Sequence, residues 1–181
     1  MRLVAPTLLT DYIAEKRVTG SLLTRLEKLS DSDSGECLAE IVRIIRPSAN
    51  SLREIISLID EISIRDEVSF SEIVNFPEVQ IALRAESING KDRLRALRTA
   101  LERYRFPTKA RLLDELESCR KTIRDEFGVY VTIPEEMEGL KLKLEVYTSA
   151  PDDFKKLSAN FDKLAQHPAV GRIYSLLRGE S

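Results

Sequence analysis

The stretch Leu140-Lys141-Leu142-Lys143-Leu144-Glu145-Val146 alternates apolar and polar side chains without a fault, and one other stretch, Val129 to Ile133, shares that period. A two-residue repeat is that of a strand with one face buried and one face wet. Pro134 to Gly139 is a polar connection, so the pair predicts one antiparallel hairpin. Almost everywhere else the apolar residues recur at steps of three and four, the period of helices packed on one face. A hairpin standing alone is marginal in water and leaves two open edges. It needs a helix on one face and more strands, and this chain offers no further strand. A second copy supplying its own hairpin is the economical complement.

The remaining punctuation predicts helices in order. Pro6 falls in the first turn of one that ends near Lys16 and Arg17, and Thr19 caps a second carrying Leu22, Leu23, Leu26 and Leu29. Ser30 to Gly35 reads as a polar loop. Cys37, Leu38, Ile41, Ile44 and Ile45 share the face of a third helix that Pro47 closes. Ser48 caps a fourth, with Leu52, Ile55, Ile56, Ile59 and Ile62 on one side. Ser69 and Glu72 have capping-box spacing, Pro77 opens another helix, and Asn89-Gly90 is a turn signal. Lys91 to about Arg105 and Pro107 to Phe127 are two further helices, and Gly128 stands at a left-handed C-terminal cap. Two more follow, one from Ser149-Pro151 and one after His167-Pro168. The class is α+β: a mostly helical region over 1–106 and an α-β-β-α module with one antiparallel hairpin over 107–181.

Composition excludes more than it assigns. Hydrophobic residues at 43% and charged residues at 32% can fill a core, while 7 Gly, 7 Pro and 2 Cys rule out collagen-like and disulfide-scaffold chains. Twenty-eight basic residues against 30 acidic ones exclude a uniformly basic nucleic-acid coat. No apolar run approaches the ~20 residues that span a bilayer. Pro6, Asp11 and Glu15 interrupt the N-terminal apolar stretch, so no secretory signal or membrane partner is expected. Cys37 and Cys119 read as reduced thiols of a cytoplasmic protein.

The charge is unevenly spread. Lys91 to Arg111 holds eight basic residues against Asp92 and Glu102, a net +6 that leaves −8 on the remainder of a chain totalling −2. At about 100° per residue, Lys91, Arg95, Arg98 and Arg105 fall along one stripe, with Lys109 and Arg111 just beyond. These six are the candidate nucleic-acid residues, because such a stripe can follow a phosphate backbone and release its counterions. Glu102 lies at pairing spacing from Arg98 and Arg105. No aromatic ladder or Gly-rich loop accompanies the stripe, so base reading is not indicated. The competing reading is a solvated face pairing with the acidic remainder.

Other constellations are bland. Lys141 and Lys143 are the wet side of a strand, with lysine discouraging edge pairing. His167, the one histidine, sits between helices, and Glu135, Glu136 and Glu138 form an acidic turn; neither carries a metal-ligand pattern. No nucleophile elbow, phosphate loop or dinucleotide fingerprint is present, so no catalytic residue, cofactor or metal is expected.

Phe127-Gly128-Val129-Tyr130-Val131-Thr132-Ile133, a polar turn, and Gly139 through Ser149 together resemble the C-terminal dimerisation module of ParB-like chromosome and plasmid partition proteins. Tyr147, Ser149, Asp152, Asp153, Phe154 and Leu157 occupy the places of that module's aromatic residue and acidic-capped helix. Ala5 to Ile62 is similar to the helical segment that follows the family's DNA-reading motif, in Leu9 to Ile13, Val18-Thr19, Leu29 and Leu52 to Ile62. No Gly-Glu-Arg-Arg-type signature is present, so CTP chemistry and site-specific DNA reading are not implied. The resemblance implies a homodimer formed through the hairpin and the following helix, with sequence-independent contact to duplex DNA. It also makes a partition ATPase, or another protein, a possible partner. The expected dimer residues are Val131, Leu140, Leu142, Leu144, Phe154, Leu157 and Phe161. The reading is a non-enzymatic DNA-partition accessory protein; the alternative is a helical protein-protein adaptor that does not bind nucleic acid.

Overall fold

The computed structural model describes residues 4–30, 32–85, 89–133 and 141–180. The chain divides into two compact units, Met1–Pro107 and Thr108–Ser181. Among the described residues the structure is mostly helical, with one two-stranded antiparallel sheet.

The first unit is built from α1 (Val4–Lys16), α2 (Gly20–Ser30), α3 (Asp33–Ile45), α4 (Ala49–Asp66), α5 (Phe70–Val74), α6 (Pro77–Arg84) and α7 (Gly90–Arg105). Local chemistry sets the helix starts. The Ser48 hydroxyl accepts from the Ser51 amide at 3.2 Å. Ser69 accepts from the Glu72 amide at 3.2 Å while the Glu72 carboxylate accepts from the Ser69 amide at 2.7 Å, a complete capping box. The apolar faces then converge: Leu26, Leu38, Ile41, Leu52, Ile55, Ile59, Ile62, Leu97 and Leu101 are all fully buried in one cluster. α3 lies against α1, α2, α5 and α7, and α7 packs on α4 and α6. Tyr12 is buried among them, its hydroxyl donating to the Pro47 carbonyl at 3.1 Å. Burial pushes its phenol up to about 12, with Glu15 adding to the shift.

Two segments differ from the sequence expectation. The polar stretch from Ser30 is not a loop as far as Gly35: α3 already starts at Asp33, and Gly35 is buried in its first turn. Asn89-Gly90 is not a turn either. The Asn89 side chain accepts from the amides of Lys91 and Asp92 at 2.9 and 3.0 Å, capping α7 with Gly90 as its first residue. Gly35 is where the chain most needs a missing side chain. A Cβ there would meet the backbone carbonyl oxygens of Leu29 and Ser30, the latter at 2.7 Å. Gly35→Ala is therefore expected to cost about 1–3 kcal/mol by overpacking, read as a lower urea midpoint; an unchanged midpoint would refute that close approach.

The second unit comprises α8 (Pro107–Phe127), β1 (Val129–Thr132), β2 (Lys143–Val146), α9 (Pro151–Ala165) and α10 (Pro168–Leu177), α8 starting at the boundary residue. Gly128 ends α8 at φ +66°, donating its amide to the Arg124 carbonyl at 2.9 Å. The register pairs Val129 with Val146, Tyr130 with Glu145, Val131 with Leu144 and Thr132 with Lys143. β2 is shorter than the alternation predicts. Lys141 and Leu142 lie outside it, because β1 stops at Thr132, two residues before a proline that has no amide to donate. Leu140, Glu135, Glu136 and Glu138 lie outside the described residues.

The expectation of an uncovered hairpin is corrected on its inner face. Val129 and Val131 are 1% and 3% exposed, packed in one cluster with Leu116 and Ile123 of α8, Leu164 of α9 and Ala169, Ile173 and Leu176 of α10. The three helices supply the cover within one chain. No third strand joins the sheet among the described residues.

Candidate self-association and nucleic-acid surfaces

The basic stretch is divided between the two units, with Lys91 to Arg105 on α7 and Lys109 and Arg111 on α8. On α7 the stripe is partly neutralised by α4. Arg98 pairs with Glu54 at 3.2 Å, and Arg105 Nε donates to Glu61 at 2.5 Å. These carboxylates, not Glu102, are the partners, because α7 packs on α4 and brings their acidic row alongside. Hydrogen bonding from Arg105 holds the Glu61 carboxyl below its ordinary range. The signal was present in the sequence as a shared spacing: Glu54 and Glu61 stand seven apart, as do Arg98 and Arg105. Seven residues make two helical turns, so two parallel helices can join at both places.

The other cations are freer. Arg95 is 83% exposed and reaches Asp92 only at 3.7 Å. Lys91, Lys109 and Arg111 are exposed and have no ion-pair partner among the described residues. Lys91, Leu94, Arg95, Arg98, Thr99 and Glu102 line a shallow concavity of about 300 Å³. Arg65, which the sequence reading passed over, donates to the Tyr104 and Arg105 carbonyls at 2.7 and 2.5 Å. It thus satisfies the C-terminal end of α7 from the neighbouring helix.

The second surface is apolar and lies wholly in the C-terminal unit. Ile123, Val131, Leu142, Leu144, Phe161 and Tyr174 help line a groove of about 160 Å³. Leu144 and Phe161 are 44% and 38% exposed at its margin. Val131 belongs to the unit's own core, 3% exposed in the lining of that groove. Leu142 is half-buried against that core, and Leu157 is half-buried in α9. The side chain of Phe154 is not among those described. On the opposite, wet face Tyr130 and Tyr147 meet edge to face at 5.5 Å, and Lys143 pairs with Glu145 at 2.7 Å. That hydrogen bond raises the Lys143 ammonium above its ordinary range.

The remaining candidates are structural. His167 caps α10, Nδ1 accepting from the Ala169 amide at 3.2 Å, while Nε2 lies 3.3 Å from Glu126 and the ring stands edge-on to Phe127. Cys37 and Cys119 are half-buried free thiols in separate units, each pushed up by burial. No cluster of potential metal ligands, and no helix long and apolar enough to cross a membrane, occurs among the described residues. No family model matches the chain, and no curated protein or solved structure matches it.

Proposed function

We propose that this chain is a non-enzymatic, self-associating accessory protein of DNA partition, which pairs through its C-terminal unit and touches duplex phosphates without reading sequence. The observation that carries it is the half-open apolar groove beside an unpaired strand edge, with Leu144 and Phe161 exposed at its margin. Large apolar side chains clustered beside an unpaired strand edge are the kind of surface that a partner covers. Phosphate contact falls to Lys91, Arg95, Lys109 and Arg111, since Arg98 and Arg105 already face carboxylates. A partition ATPase as partner follows from the resemblance to ParB-like proteins alone. The engagement of Arg98 and Arg105 by α4 favours a second reading, a helical protein-protein adaptor that ignores nucleic acid.

A duplex of arbitrary sequence separates the two. Binding should fall with salt at a log–log slope of about −0.9 per phosphate contact. Replacing Lys91, Arg95, Lys109 and Arg111 together by Glu should abolish it while leaving the far-UV circular dichroism unchanged. Reversing Arg98 or Arg105 is a poorer probe, because each new carboxylate would face Glu54 or Glu61 and strain the first unit. Salt-independent retention, or none by the wild type at physiological salt, would leave the adaptor.

A further inference from the structure

We propose that the groove between α8 and the end of α10 binds a small zwitterion, an α-amino acid with an aliphatic side chain. Neither self-association nor duplex binding is needed for it.

Helical spacing builds one wall. Thr108, Arg111, Leu112 and Glu115 recur at steps of three and four, so they share a face of α8. Arg172 and Leu176 stand one turn apart on α10, and Arg172 donates to Glu115 at 2.6 Å, which ties the two helices together. The way α10 ends supplies the rest. Gly179 takes φ +74°, its amide donates to the Leu176 carbonyl at 3.1 Å, and the Glu180 amide donates to the Ser175 carbonyl at 2.9 Å. That pair of hydrogen bonds is a Schellman turn, which folds the chain back over the last turn of the helix instead of letting it run on. Gly179 and Glu180 therefore join the six residues named on α8 and α10 around a cavity of about 230 Å³, wholly within the C-terminal unit.

The charges of the lining cancel, two guanidinium groups against two carboxylates. They are not equally engaged. Arg172 and Glu115 neutralise one another. Among the described residues Arg111 has no ion-pair partner, and Glu180 accepts only from the Ser175 hydroxyl, at 3.4 Å. A cation and an anion thus line one cavity without pairing, and Leu112 and Leu176 add apolar surface to it. The complementary ligand carries both charges on one short frame together with an apolar body. An α-amino acid does so: its carboxylate accepts two parallel bonds from the Arg111 guanidinium, its ammonium donates to Glu180, and its side chain covers Leu112 and Leu176. Thr108 adds a hydroxyl able to donate or accept. A polyanion fits poorly, because Glu115 and Glu180 line the same space. The volume falls below the about 300–1,000 Å³ of pockets for drug-sized molecules, which suits a ligand of this size.

Titration of the full chain with L-leucine, followed through amide chemical shifts by NMR, tests this. Saturable shifts centred on Thr108, Arg111, Gly179 and Glu180 are expected, with a dissociation constant of about 1 mM. Isocaproate, which lacks the ammonium, and isoamylamine, which lacks the carboxylate, should each bind about tenfold more weakly. Glu180→Gln should weaken L-leucine about tenfold and leave isocaproate unchanged, while Arg111→Gln should weaken L-leucine equally and leave isoamylamine unchanged. Both residues are exposed, so each variant should keep the circular dichroism of the wild type. Glu180 has no part in phosphate contact, so its variant separates this site from any duplex binding that Arg111 shares. The absence of saturable shifts with L-leucine, or undiminished L-leucine affinity in either variant, would overturn the site. Equal binding of all three compounds would overturn it as well, leaving an apolar groove without charge recognition.

Discussion

Truncating Ile59 to alanine lowers the stability of the N-terminal unit by about 2–5 kcal/mol, the cost of removing buried methyl groups and leaving the cavity behind. Ile59 is fully buried at the middle of the α4 face, in the cluster that Leu52, Ile55, Ile62, Leu97 and Leu101 share. The same helix carries its own control. Ile64 is 80% exposed, and Ile64→Ala, an identical chemical change five residues on, should shift stability by no more than about 0.5 kcal/mol. Urea unfolding measures both, with the slope unchanged and the midpoint lowered for Ile59 alone. Equal shifts would mean that the face of α4 is wrongly assigned, and with it the packing of α7 that sets Arg98 and Arg105 beside Glu54 and Glu61. The helical periodicity of residues 52–62 is then more than a pattern: it decides which basic side chains stay available to a ligand.

Leu144→Asp has the larger effect on assembly. At 44% exposed in one copy, Leu144 contributes little to the unit's own core, so the substitution should leave the circular dichroism spectrum as it is. In the proposed self-association it lines the apolar groove that a partner covers, so the substitution places a carboxylate in an apolar contact. Burying charge without a partner there costs about 2–5 kcal/mol, which weakens association by roughly a hundredfold. Leu142→Asp is less clean, since Leu142 packs on the core of its own unit and its loss would destabilise the fold as well. A Leu144→Asp chain that associates as tightly as the wild type would place the contact elsewhere.

Features set by neighbours in sequence were readable in advance. The caps at Ser48 and Ser69, the left-handed Gly128 and the switch of period at Val129 each depend on residues within a turn or two. The misreadings at Ser30–Gly35 and Asn89–Gly90 share a cause: polar residues that begin a helix are those that also make loops, so composition could not separate a cap from a connection. What lies far along the chain was not readable. Arg105 finds Glu61 across 44 residues, so a stripe drawn on α7 alone could offer Arg98 and Arg105 only Glu102, not the carboxylates of α4 that the fold pairs with them. Val131 shows the same limit in the sheet. Alternation told which side chains share its face, but not that α8, α9 and α10 would cover that face from within.

Sedimentation equilibrium of the unmodified chain at tens of micromolar bears hardest on the pairing of its C-terminal unit. A species of twice the 20.6 kDa chain mass, giving way to a monomer in Leu144→Asp, is the predicted result. A single species at 20.6 kDa across the whole concentration range would contradict it.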